Sequence, residues 1–146
     1  MLRLFSLGIL AAIGALTGEL FLLSIFPTRS ALLLAIVIPF LEESIAFSLL
    51  WKGRTSLPQS FSPRFFSVAF AFGLGFTLPE TILAGLADPL GNPLALAEVI
   101  GIHLTSAFFL GSATHFLAQR KPLSAFSLFI CSFAIHALYN FFIFMG

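Results

Sequence analysis

Residues 31–51 read ALLLAIVIPFLEESIAFSLLW, an apolar run interrupted by the adjacent pair Glu42 and Glu43 and by Pro39 three positions earlier. At a helical rise of about 1.5 Å per residue, roughly 20 such residues cross a hydrocarbon layer of about 30 Å. An ionised carboxylate in that layer costs several kcal/mol, so carboxylates there usually line a polar site or find a partner. The stretch therefore predicts a membrane-spanning helix that carries two functional acids.

Four other runs have the same character, and the expected spans are approximately 2–26, 31–51, 65–86, 94–118 and 123–145. Between them lie turn compositions: Pro27-Thr28-Arg29-Ser30, then Lys52 to Arg64 with Pro58 and Pro63, then Ala87 to Pro93, then Gln119-Arg120-Lys121-Pro122. The chain has 146 residues, 59% of them hydrophobic and 9% charged, with a mean hydropathy of +1.08. This composition excludes an ordinary soluble domain and gives no basic surface for nucleic acid. The expected fold class is an all-α membrane protein, a compact bundle of five transmembrane helices forming one domain over residues 1–146. The first run is longer than the core of a signal peptide and lacks a clear cleavage site, so it reads as retained.

Basic residues set the expected orientation, since cytoplasmic loops are enriched in Lys and Arg. With the N-terminus in the cytoplasm, Arg3, Lys52, Arg54, Arg64, Arg120 and Lys121 lie inside and Arg29 alone lies outside. The expected location is a multi-pass position in a bacterial-type plasma membrane. Cys131, the single cysteine, cannot form an intrachain disulfide.

Polar residues within the runs share a depth. Glu42 and Glu43 lie about 17 Å below Ala31, Glu80 about 9 Å from Leu86 and His103 about 14 Å from Leu94. His136 and Asn140 lie about 14 and 8 Å from Met145. Being four residues apart, they occupy one face of the fifth helix. Glu42 and Glu43 point about 100° apart, so one of the two faces the bundle centre more fully. Pro39 and Pro79, each just ahead of a carboxylate, loosen the helix backbone there. Gly73, Gly75, Gly101 and Gly111 permit close helix approach. Glu19 and Glu98 lie toward the outer rim and His115 toward the cytoplasmic end, and all three are read as peripheral.

Carboxylates, imidazoles and an amide at one level suit hydrolysis. A glutamate serves as base toward water, while His103, His136 and Asn140 offer donors for an oxyanion. Two histidines and a glutamate are also a conceivable first shell for zinc, so Glu43, Glu80, His103 and His136 are the candidate metal ligands and metal dependence stays open. Ser44, Ser106 and Ser112 read as packing residues, since no G-x-S-x-G turn is present. H-E-x-x-H is absent too.

The ordered set Pro39-Phe40-Leu41-Glu42-Glu43, Gly73-Leu74-Gly75-Phe76-Thr77-Leu78-Pro79-Glu80, His103-Leu104-Thr105-Ser106 and His136-Ala137-Leu138-Tyr139-Asn140 resembles the PrsW family of intramembrane proteases, related to the CAAX-processing and bacteriocin-immunity membrane endopeptidases. The resemblance covers about three quarters of the chain. It implies a helical bundle that hydrolyses peptide bonds of membrane-anchored proteins, with Glu42, Glu43, Glu80, His103 and His136 in the active site and Asn140 assisting the oxyanion. It also implies the bilayer and a membrane-anchored substrate as partners. The chain departs from the family pattern after Glu43, where Ser44-Ile45-Ala46-Phe47 stands in place of a nearby basic residue, and at Thr81, where asparagine is common. Two competing readings are a non-enzymatic proton or cation pathway, since buried acids and histidines also build relays, and an inactive relative that binds membrane partners.

Overall fold

Five long helices account for nearly all of the chain in the computed structural model, which describes residues 1–26, 33–58, 60–87 and 92–145. They are α1 (Leu2–Ile25), α2 (Ile38–Lys52), α3 (Pro63–Ala87), α4 (Pro93–Ala118) and α5 (Pro122–Met145). Counting the π-helical turn that runs into α2, so that the second span is Leu34–Lys52, all five are long and apolar enough to cross a membrane, as a multi-pass integral membrane protein requires. The expected loop residues Pro27 to Ser30, the helix start at Ala31, and Asp88 to Gly91 lie outside the described residues.

The helix starts are written in proline. α3, α4 and α5 each begin on one, where the missing N–H is no loss because the first turn has no intrahelical acceptor for it. Asn92 caps α4 by accepting from the Leu94 N–H at 2.9 Å. Between α4 and α5 the chain reverses through Arg120, whose φ of 59° lies in the left-handed region that closes many helix ends.

The second span differs from the expected single α-helix, because it opens as a π-helical turn, Leu33–Val37, before α2 begins. Pro39 is the physical reason. Its ring and missing N–H disrupt the α-ladder toward the carbonyls one turn earlier, and a wider turn accommodates it. Pro79, by contrast, is carried inside an unbroken α3.

α1 packs on α3 and α2, α4 packs on α5 and α3, and α2 reaches both α4 and α5. The side of α1 that packs is nearly flat, built from Leu4, Gly8, Ala11, Ala12 and Ala15 at helical spacing. α1 and α3 meet backbone to backbone: a Cβ at Gly8 would strike the Phe72 carbonyl oxygen, and one at Gly75 the Phe5 carbonyl oxygen. Gly73 likewise admits Ala107, and Gly111 lies against Ala69. Gly101, expected to serve the same purpose, has nothing within 4 Å of its would-be Cβ. It does not mark a helix contact among the described residues.

The polarity of the molecule is inverted relative to a soluble protein. Glu42, Glu43, His103, His136 and Ser132 are buried, while Leu20, Phe21, Leu86, Phe126 and Phe142 are exposed, as hydrocarbon on the outside demands.

Candidate functional site

Glu43 makes three side-chain hydrogen bonds, and only 2% of its surface is exposed. Ser106 of α4 donates to its Oε1 at 2.5 Å, Ser132 of α5 to its Oε2 at 2.7 Å, and His136 Nδ1 lies 2.9 Å from Oε1. The two serine hydroxyls also touch each other at 2.7 Å. One carboxylate thus ties α2 to both α4 and α5. Its charge, costly in this medium, is spread over hydrogen bonds from three side chains.

His136 has a carboxylate on each ring nitrogen. With Nδ1 on Glu43, its Nε2 stands 3.1 Å from Glu42 Oε2. The hydrogen bond between Nδ1 and Glu43 holds the ring, while Nε2 approaches Glu42 Oε2 without forming a hydrogen bond to it. A second pair lies alongside: His103 Nε2 is 2.6 Å from Glu80 Oε2. The two imidazoles meet edge to face with centroids 5.1 Å apart, and Phe76 lies against His103 with a 5.0 Å centroid separation. The bundle therefore holds two Glu–His pairs in contact, contributed by α2 with α5 and by α3 with α4.

Five of the six residues expected from the sequence come together: Glu42, Glu43, Glu80, His103 and His136. Asn140 does not join their hydrogen bonds. Its Nδ2 donates to the Leu34 carbonyl at 3.3 Å, which serves the π turn that Pro39 imposes. The backbone irregularity of the second span thus engages one donor of the amide that the sequence assigns to the oxyanion.

Three residues outside the expected set belong to the site. Glu19 of α1 lies within hydrogen-bonding reach of Glu42 and close enough to Glu80, His103 and His136 to interact with them electrostatically. Placing it at the periphery was an error of rotation, since depth along a helix says nothing about which way a side chain faces. Ser106 and Ser132 are the other two. Ser106 follows His103 by three residues and Ser132 precedes His136 by four, so each shares a helical face with a site histidine, and that spacing was the available signal. Glu98 is exposed. His115, although buried, bonds to Gln119 at 2.9 Å and belongs to the opposite end of α4.

Three carboxylate oxygens on three helices, Glu19 Oε1, Glu42 Oε2 and Glu80 Oε1, are buried and accept no hydrogen bond among the described residues. Buried polar atoms without partners are few in proteins, and each calls for a reason. Beside the cluster, a cavity of about 10 Å³ is lined by Glu43, His103 and Ser106 and walled by Phe72, Phe76 and Leu110. That size is at the lower limit for one water molecule, and the lining supplies the polar partners a water needs.

Carboxylates with imidazoles are donors that zinc accepts. Their arrangement is not that of a metal shell: among the described residues no group of three or more His, Cys, Asp or Glu side chains is placed to hold an ion. His103 Nε2 and both nitrogens of His136 are turned onto carboxylates. The chemistry below is therefore derived from protein groups alone.

On the lipid-facing side of α2 and α5 lies an apolar cleft of about 550 Å³, lined by Phe40, Phe47, Phe126 and Phe129 among others. Phe40 packs edge to face on Phe129 and Phe133. Compared with protein-family models, with curated proteins and with solved structures, the chain matches none.

Proposed function

We propose that this chain is an intramembrane endopeptidase of the PrsW type, cleaving membrane-anchored proteins with a glutamate-activated water. The observation that carries the reading is the pair of Glu–His couples in contact, with unpartnered carboxylate oxygens around them. Hydrolysis needs one group to take a proton and another to return it, and two adjacent couples meet that need. The ordered motifs resembling the PrsW family point the same way.

In this reading Glu43 is not the base. Its oxygens are already engaged by Ser106, Ser132 and His136, so its role is to orient the imidazole, as a buried carboxylate does in other acid–base arrays. Glu42 takes the proton as the water oxygen attacks the peptide carbonyl carbon, and His136 shares that proton through Nε2. When the C–N bond breaks, the departing nitrogen receives a proton from the His103–Glu80 couple, and the proton held by Glu42 and His136 then passes to that couple, so that both couples end as they began. One water is consumed, and its two hydrogens end on the new carboxyl and amine groups. The apolar cleft between α2 and α5 suits the hydrocarbon-soluble part of such a substrate, and the site's setting would be a bacterial-type plasma membrane.

The test uses the full chain, purified in detergent, with a membrane-anchored peptide. Glu42→Gln and His136→Ala should each abolish cleavage while the helical circular dichroism spectrum is unchanged. Full cleavage by both variants would overturn the assignment. Proton flux through reconstituted liposomes without peptide cleavage, lost in Glu80→Gln, would instead establish the relay.

A further inference from the structure

At the other end of α4, about 18 Å from His103 at the helical rise, a cleft of about 240 Å³ opens between the short 3₁₀ turn Arg54–Ser56 and the last turn of α4. Its walls are Arg54, Thr55, Leu57, Pro58, Thr114, His115 and Ala118, so four of the seven residues are polar or basic. The proposed hydrolysis uses none of them.

Several features suit this cleft to an anion. Arg54 is held by a hydrogen bond from Nη1 to the Trp51 carbonyl at 3.1 Å and lies over the Trp51 ring at 4.3 Å. That fixes the guanidinium while engaging only one of its five N–H donors. Arg3 Nη1 stands 3.5 Å from Thr55 Oγ1, bringing a second guanidinium to the rim. Thr114 is completely buried, and its hydroxyl has no hydrogen-bond partner among the described residues. His115 is clamped by the rings of Phe61 and Phe65, with centroids 4.6 and 5.8 Å away, and is fixed by Gln119.

The surroundings carry the same sign. The start of α1, the end of α2, the start of α3 and the α4–α5 turn place Arg3, Lys52, Arg54, Arg64, Arg120 and Lys121 at this one end of the bundle. No acidic residue lines the cleft. A membrane interface presents phosphate at this level, and guanidinium with hydroxyl donors is a good match for phosphate oxygens.

We infer that the cleft between Arg54–Pro58 and the end of α4 binds a phosphate group, with Arg54 as its principal donor and Thr55, Thr114 and His115 lining the seat. The inference stands apart from the proposed proteolysis. A lipid headgroup and free phosphate present the same chemistry, and two measurements separate them. In the first, the full chain is reconstituted in phosphatidylcholine nanodiscs containing phosphatidylglycerol, released into detergent, and weighed by native mass spectrometry. In the second, lipid-free protein in neutral detergent is titrated with inorganic phosphate and followed by the ³¹P line width.

Arg54 and Thr55 are exposed, so Arg54→Gln and Thr55→Val leave the core untouched. A phosphatidylglycerol adduct weakened about tenfold by Arg54→Gln, weakened less by Thr55→Val and unchanged by Arg64→Gln supports the site with a lipid source. Phosphate broadening lost in Arg54→Gln, with no lipid adduct, supports the site with free phosphate. Equal weakening by Arg54→Gln and Arg64→Gln reveals only diffuse attraction to a basic surface and overturns the inference, as does binding in neither measurement.

Discussion

Glu19 of α1 and Glu42 of α2 lie within hydrogen-bonding reach of each other inside the bundle. Two carboxyl groups that close form a hydrogen bond only if a proton lies between them. The helix packing that brings them together is tight: Gly18 leaves so little room that a Cβ there would sit 2.7 Å from Leu41 Cδ2. α1, which carries none of the motifs resembling the PrsW family, thus reaches Glu42, the base of the proposed hydrolysis.

Glu19→Gln should preserve the helical bundle and lower the cleavage rate at least tenfold, because Glu42 loses a neighbouring carboxyl group. General acid–base groups typically contribute about 10²–10⁴-fold, so a positioning partner is expected toward the lower end. The measurement is the rate against pH, whose shape should also change. An unaltered profile would detach Glu19 from the chemistry.

Ser132→Ala removes one donor from Glu43 Oε2 and should destabilise the protein by about 1–3 kcal/mol, the cost of leaving a buried acceptor short of a partner. Ser106→Ala should act similarly, and the double variant should cost less or more than the sum because both hydroxyls serve one carboxylate. Thermal unfolding in detergent reads this directly. Each serine variant should retain measurable cleavage, since the proposed hydrolysis uses neither hydroxyl as nucleophile; complete loss in a folded Ser106→Ala protein would reopen that assignment.

Gly75→Ala should loosen or displace α1 from α3, because the added methyl meets the rigid backbone at Phe5. Overpacking of this kind typically costs about 1–3 kcal/mol. Gly101→Ala, with open space around it, should leave thermal stability within about 0.5 kcal/mol of the parent. Equal stability of the two variants would contradict the close crossing.

Prolonged dialysis against a chelator should leave cleavage unchanged if protein groups alone activate the water. Loss of cleavage restored by added zinc would instead favour the metal shell expected from the sequence, with Glu43, Glu80, His103 and His136 as its ligands. Metal content of the purified protein, measured by mass spectrometry, provides the independent check.

Five helices were legible because the apolar runs are long and proline marks three of their beginnings. Shared depth correctly gathered Glu42, Glu43, Glu80, His103 and His136, since depth follows from counting residues along a helix. Rotation about the helix axis does not, and there the reading of Glu19 failed. Asn140 illustrates a different gap: its spacing from His136 was right for a joint role, but the π turn at Leu33–Val37 competes for its amide, and a π turn leaves little trace in sequence beyond Pro39. Ser106 and Ser132 were hidden by their ordinariness, because serine in an apolar helix usually bonds its own backbone, as Ser44, Ser48 and Ser127 do here.

Glu43, Ser106 and Ser132 form a triangle of three oxygen–oxygen contacts, while the two hydroxyls bring only two hydrogens to it. At any instant one edge is bare, and rotating a single hydroxyl moves the bare edge elsewhere. The triangle is thus a small set of interchangeable hydrogen arrangements around one fixed frame of oxygens, bordering a cavity the size of a water molecule. Rigidity of the scaffold and mobility of its lightest atoms coexist at the same three residues.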